Sequence, residues 1–169
     1  MSDPELRFTN ALTIEVVCML PLHTSAQSLV YYGGTAETEA TNYAYQLSVP
    51  PDRRLRLFWE YGRGVNAEVN STIKTPYDCP VYLAVTRDAN NPANITFYIN
   101  AIKENAGSAP RFTGATTANF QISTNTVLMR EKTIIYGVKI IGRELTEQEI
   151  YSEYNKTLGG RNVNWPVKQ

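Results

Sequence analysis

Between Arg54 and Tyr61 the side chains separate by parity: Leu55, Leu57, Trp59 and Tyr61 alternate with Arg54, Arg56, Phe58 and Glu60. A strand points successive side chains to opposite sides, so this spacing predicts a sheet with one face on a core and the other toward water or a partner. The same period recurs along the chain. Leu12 to Leu20 puts Ile14, Val16 and Cys18 on one face and Thr13, Glu15 and Val17 on the other, and Pro21 ends the run. Leu29 to Tyr32 is a short apolar run closed by Gly33-Gly34; Tyr43 to Val49 aligns Tyr43, Tyr45, Leu47 and Val49 before the turn forced by Pro50-Pro51.

Val65 to Ile73 is a weaker strand, and Pro76 to Pro80 is a turn. Val81 to Thr86 and Ile95 to Asn100 form the clearest hairpin, joined by the polar loop from Arg87 to Asn94. Lys103 to Asn119 reads as irregular, after which Phe120 to Ile122, Val127 to Met129 and Thr133 to Ile141 complete the set. Roughly ten or eleven short strands predict an all-β, two-sheet antiparallel β-sandwich. One short C-terminal helix is signalled. Thr146 and Glu149 stand at capping-box spacing, Leu145 and Ile150 fit a hydrophobic staple, and Gly159-Gly160 ends the region. Tyr151 and Tyr154 supply a narrow stripe for docking on the sandwich edge.

At 169 residues and 43% hydrophobic content, the chain suits one domain spanning 1–169, with a core over about 8–154 and a tail at 155–169. Its 16 basic residues balance 16 acidic ones, so no net field draws it to nucleic acid. No segment is long and apolar enough to insert in a membrane as a helix. Met1 to Arg7 lacks the basic and apolar parts of a signal peptide, which predicts synthesis and folding in a cytosol. Cys18 and Cys79 lie far apart without CxxC spacing and read as packed, reduced thiols.

Two segments resemble the laminin G-like members of the concanavalin A-like lectin and glucanase superfamily. One is the strand, basic-x-Leu-Thr turn and acidic helix written Tyr136-Gly137-Val138-Lys139-Ile140-Ile141-Gly142-Arg143-Glu144-Leu145-Thr146-Glu147-Gln148-Glu149-Ile150. The other is the central hairpin, where Leu83-Ala84-Val85-Thr86-Arg87-Asp88 and Phe97-Tyr98-Ile99-Asn100 fit the family's Val-Ala-Val-Thr strand and Tyr-Val-Asn-Gly corner. Pro80-Val81-Tyr82 replaces the family's Trp-His-His, and Ala101 replaces the corner glycine, a residue far more tolerant of positive φ. The resemblance implies a concanavalin A-like jelly roll; the superfamily spans glucanases, lectins, adhesion modules and viral structural domains, so membership does not select an activity.

Enzyme chemistry finds no support in the residues. Superfamily glucanases need carboxylates at alternate positions of one strand, whereas Glu15, Glu60 and Glu68 fall singly in three strands and read as solvent-facing charges. His23 is the single histidine, in a loop, so neither a Ser/His/Asp arrangement nor a zinc site is signalled. No cofactor is expected. Asp88, Asn90 and Asn91 offer oxygen atoms for calcium, but one carboxylate supplies little charge and Asn/Asp clusters make turns.

Recognition is therefore sought among the 11 tyrosines and two tryptophans, since sugars stack C–H faces on aromatic rings while hydroxyls bond nearby amides and carboxylates. Tyr31, Tyr32, Tyr43 and Trp59, with Asp88 and Asn90, are the candidate ligand-binding residues. The leading expectation is a non-catalytic accessory module of a virion or surface assembly, such as a capsid decoration or tail-associated protein. Its partners would be copies of itself or capsid and tail subunits, with Trp165 as the assembly anchor and glycan binding as a companion activity. The alternative is a carbohydrate-binding lectin or adhesion module at an extracellular surface.

Overall fold

The computed structural model describes residues 11–22, 24–32, 45–62, 65–88, 90, 94–107, 120–122 and 133–159. The strands are β1 (Leu12–Met19), β2 (Gln27–Tyr32), β3 (Tyr45–Val49), β4 (Arg54–Gly62), β5 (Val65–Lys74), β6 (Pro80–Arg87), β7 (Ile95–Ile99), β8 (Ile102–Gly107), β9 (Phe120–Ile122) and β10 (Ile134–Ile141). They form two antiparallel sheets, ordered β10-β1-β6-β7-β8 and β5-β4-β3-β2-β9. Helix α1 (Glu147–Tyr154) follows and runs into a π-helical turn at Asn155–Gly159.

Parity of the strands builds the core. Ile14, Val16 and Cys18 of β1 meet Val81, Leu83 and Val85 of β6 on the inner face of the first sheet. Leu47 and Val49 of β3 and Leu55, Leu57 and Trp59 of β4 close over them from the second. All of these are buried. Cys18 and Cys79 are free thiols, and burial pushes Cys18 up to about 12, so it stays protonated and inert. The expected strand at Val127 to Met129 lies outside the described residues.

Three expectations need correction. The stretch after Ile102 begins with a regular strand, β8, whose polar sequence hid it because it is an edge strand. Its Glu104 carboxylate reaches the other sheet and accepts from the backbone N–H groups of Thr72 and, at 2.9 Å, Ile73 on the edge strand β5. The expectation that the helix sits on the sandwich edge is also overturned. It covers the outer face of the first sheet, where Leu145, Ile150, Tyr154 and Leu158 pack with Tyr82, Ala84 and Tyr98 in a second small core. Ile150, Tyr154 and Leu158 repeat at four-residue spacing and share a face, whereas Tyr151 is turned away and 58% exposed.

That cover buries both faces of β1. Thr13 is 0% exposed, and Glu15, expected as a solvent-facing charge, is 3% exposed. The Thr13 hydroxyl donates to the Arg143 carbonyl at 2.7 Å and accepts from Leu145 N–H at 3.0 Å, clipping the approach to α1. The capping box forms as predicted: Glu149 N–H donates to Thr146 Oγ1 at 3.3 Å and Thr146 N–H donates to Glu149 Oε2 at 2.9 Å. Arg143 grips the same carboxylate through both guanidinium nitrogens, at 3.0 and 2.7 Å, and together these bonds hold Glu149 down to about 2.

The two-residue loop between β7 and β8 has φ 51° at Asn100 and 61° at Ala101. Positive φ at both positions is the geometry of a type I′ hairpin turn, so Ala101 occupies the conformation that the family's glycine would take. Relieving that strain, about 1–2 kcal/mol for an L-residue, outweighs the extra freedom glycine gains when unfolded, about 0.5–1 kcal/mol. Ala101→Gly is accordingly expected to raise the urea midpoint, for a net gain of about 0.5–1 kcal/mol.

Candidate functional site

In the second sheet the inward set Tyr32, Leu47, Leu57 and Trp59 forces its neighbours in sequence outward. Strand register then lines up Gln121 on β9, Tyr31 on β2, Gln46 on β3, Phe58 on β4 and Glu68 on β5 in one row across the sheet. At ~4.8 Å per strand, that row is roughly 19 Å long. A second row runs through Ser28, Ser48, Arg56 and Asn70. The one helix among the described residues lies on the opposite sheet.

Polar side chains knit the two rows together. Gln46 Nε2 donates to Ser28 Oγ at 2.9 Å, and Arg56 Nε donates to Ser48 Oγ at 3.2 Å. Glu68 accepts from Arg56 Nη1 and from Asn70 Nδ2, both at 3.3 Å. The Arg56–Glu68 pair is solvent-accessible and contributes little to stability. It does fix where the guanidinium and carboxylate point. The half-buried rings of Tyr31 and Phe58 stand two strands apart, with amides between and beside them. Apolar ring faces set among oriented donors and acceptors match the two kinds of surface that a sugar presents.

Of the residues singled out from the sequence, Tyr31 lies on this face. Tyr32 and Trp59 do not: they are 2% and 0% exposed, so neither ring has a face to offer a ligand. Tyr32 instead packs against Tyr45 and Phe120, with ring centroids at 5.5 and 6.3 Å. Asp88 follows β6 in the first sheet and is not brought to the Tyr31 face. Its Oδ1 accepts from Asn90 N–H at 2.7 Å, the side-chain bond of an Asx turn, and Asn90 is exposed. Tyr43, Asn91, Trp165 and His23 lie outside the described residues. Among the described residues, no group of three or more His, Cys, Asp or Glu side chains converges as a metal site would require.

Phe58, Gln46, Arg56 and Gln121 were missed as site residues. Arg56 and Phe58 had a signal, since they occupy the outward parity of β4, the face read as open to water or a partner. Glu68 remains exposed on the outside of the second sheet, while Glu15 is buried on the outside of the first. These two carboxylates therefore cannot flank one bond as a glucanase pair would.

Two antiparallel five-stranded sheets closed over one core, with a helix on one outer face, define a lectin-type sandwich. The laminin G model of the concanavalin A-like lectin/glucanases superfamily matches residues 1–151, and the chain belongs to that superfamily. No curated protein sequence matches it. Among solved structures it is similar to the Ruminococcus gnavus IT-sialidase CBM40 bound to alpha2,3 sialyllactose, at 13% identity and TM-score 0.64, over 89% of this chain and 85% of that one. It is also similar to the binding domain of botulinum neurotoxin DC, solved in complex with rat synaptotagmin II (13% identity, TM-score 0.62, 89% of this chain and 37% of that one). A third similar structure is of botulinum neurotoxin type C, whose passage into cells is dependent upon interaction with two ganglioside molecules (13%, TM-score 0.60, 87% and 36%). The chain thus spans little more than a third of the neurotoxin chains it resembles.

Proposed function

We propose that this protein is a non-catalytic glycan-binding module that takes its ligand on the outer face of the β5-β4-β3-β2-β9 sheet. One observation carries the reading: register places Tyr31 and Phe58 in a row with Gln121, Gln46 and Glu68 on the sheet that α1 leaves uncovered. Sandwiches of the same fold that hold sialyllactose or depend on gangliosides support it. The virion role expected from the sequence, with Trp165 as its anchor, gains no support from the described residues, and Trp165 lies outside them.

A glycan array followed by calorimetry on the best hit tests the proposal. Tyr31→Ala and Phe58→Ala are each expected to weaken binding about ten-fold, the loss of one ring contact worth about 1.4 kcal/mol. The circular dichroism spectrum should stay unchanged, because both rings lie outside the core. Folded protein that binds no glycan, or binding indifferent to both substitutions, would sink the idea.

A further inference from the structure

On the other sheet, α1 and the π-helical turn leave a pocket of about 170 Å³ over β1, β6 and β10. Glu15 forms part of its floor. The Tyr82 hydroxyl donates to Glu15 Oε1, while Oε2 is buried and accepts from nothing. Native folds keep few such atoms, because a desolvated acceptor without a donor is costly.

The nearby cations do not answer it. Lys139 sits beside Glu15 in register but pairs with Glu153, and Lys156 donates to the same Glu153 carboxylate at 2.7 Å. Glu153 of α1 pairs with both ammonium groups, so among the described residues no cation is left to donate to Glu15 Oε2. Burial raises the Glu15 carboxyl, partly offset by the Tyr82 bond and the Lys139 charge.

The walls supply the rest of the recognition chemistry. Val17 lines the pocket with hydrocarbon, while the Val138 side chain turns to the main core, and at Gly137 a Cβ would meet nothing within 4 Å. A cavity of roughly 150 Å³ is enough to take benzene, so there is room for about six heavy atoms. An acceptor-only oxygen at the base of apolar walls calls for a cationic donor on a hydrocarbon stem. We infer that the pocket over Glu15 binds a primary alkylammonium group, its nitrogen donating to Glu15 Oε2 and its unbranched stem lying against Val17. This site is on the opposite sheet from the glycan face and stands or falls independently of it.

The probe is n-butylammonium chloride, followed by NMR at the Glu15 side-chain carboxyl and the Gly137 amide. Saturable shifts at both are expected. The groups facing Glu15 are Tyr82 of β6, Lys139 of β10, Glu153 of α1 and Lys156 of the π-helical turn, and none supplies Oε2 with a proton donor. Since the ligand pairs with the ionised carboxylate, bound amine should lower the Glu15 titration point, and affinity should rise as pH passes upward through it. Glu15→Gln keeps an oxygen for Tyr82 and is expected to lose affinity at least about ten-fold. Gly137→Leu fills the pocket with Glu15 intact and is expected to lose it too. n-Butanol, the neutral counterpart, should bind at least about ten-fold more weakly. Nα-acetyl-lysine methylamide distinguishes sources: binding of both amines assigns a protein-borne lysine, and binding of butylamine alone assigns a free small amine. Absence of shifts in folded protein, equal binding of n-butanol, or undiminished binding by Glu15→Gln would each overturn the inference.

Discussion

Trp59→Ala is expected to remove about 3–5 kcal/mol of stability, enough to unfold much of the population of a marginally stable domain. Trp59 has no exposed surface, and register sets it between Tyr45 on β3 and Ala67 on β5. Truncation strips a large apolar area from the core and leaves a hole that two facing sheets, held about 10 Å apart by neighbouring side chains, close only in part. Urea titration should show a lowered midpoint with an unchanged slope. Were the indole instead a sugar platform, the midpoint would hold and glycan affinity alone would fall. Trp59→Phe should lose less stability and leave binding intact.

Ile150→Ala is expected to cost about 2–5 kcal/mol, with the effect concentrated at one end of the chain. Ile150 is the one buried residue of α1 and sits in the small core with Leu145, Tyr82 and Ala84. Without its side chain the capping box and the Arg143–Glu149 pair still start the helix, but eight residues of helix have little intrinsic stability. Hydrogen exchange should therefore accelerate at α1 amides more than at those of β4, as local opening separates from global unfolding. Glycan affinity should be unaffected, because the two outer faces are on opposite sides of the sandwich. Equal acceleration everywhere would show that the cover is integral to the whole fold.

The two-sheet fold was legible because parity is written directly in β4, where Leu55, Leu57 and Trp59 carry the core and Arg56 and Phe58 the surface. The β6–β7 hairpin and the Thr146–Glu149 cap were equally local signals. What could not be read depends on distant chain. Glu15 looked like a surface charge because the segment that buries β1's second face lies some 130 residues away, as the Thr13–Arg143 bond makes plain. The Tyr31–Tyr32 pair shows the same limit on a smaller scale. Leu29 to Tyr32 is apolar throughout, so no alternation tells which tyrosine faces out; the irregular register between Ser28 and Val30 decides it. Ala101 hid its turn because a residue with a Cβ does not advertise positive φ.

From Arg54 to Trp59, odd-numbered residues hold the molecule together and even-numbered ones face outward. Exchanging Phe58 touches neither core cluster, and surface substitutions usually move stability by less than about 0.5 kcal/mol. Such a scaffold can drift toward new ligands one side chain at a time, with its architecture indifferent to the choice.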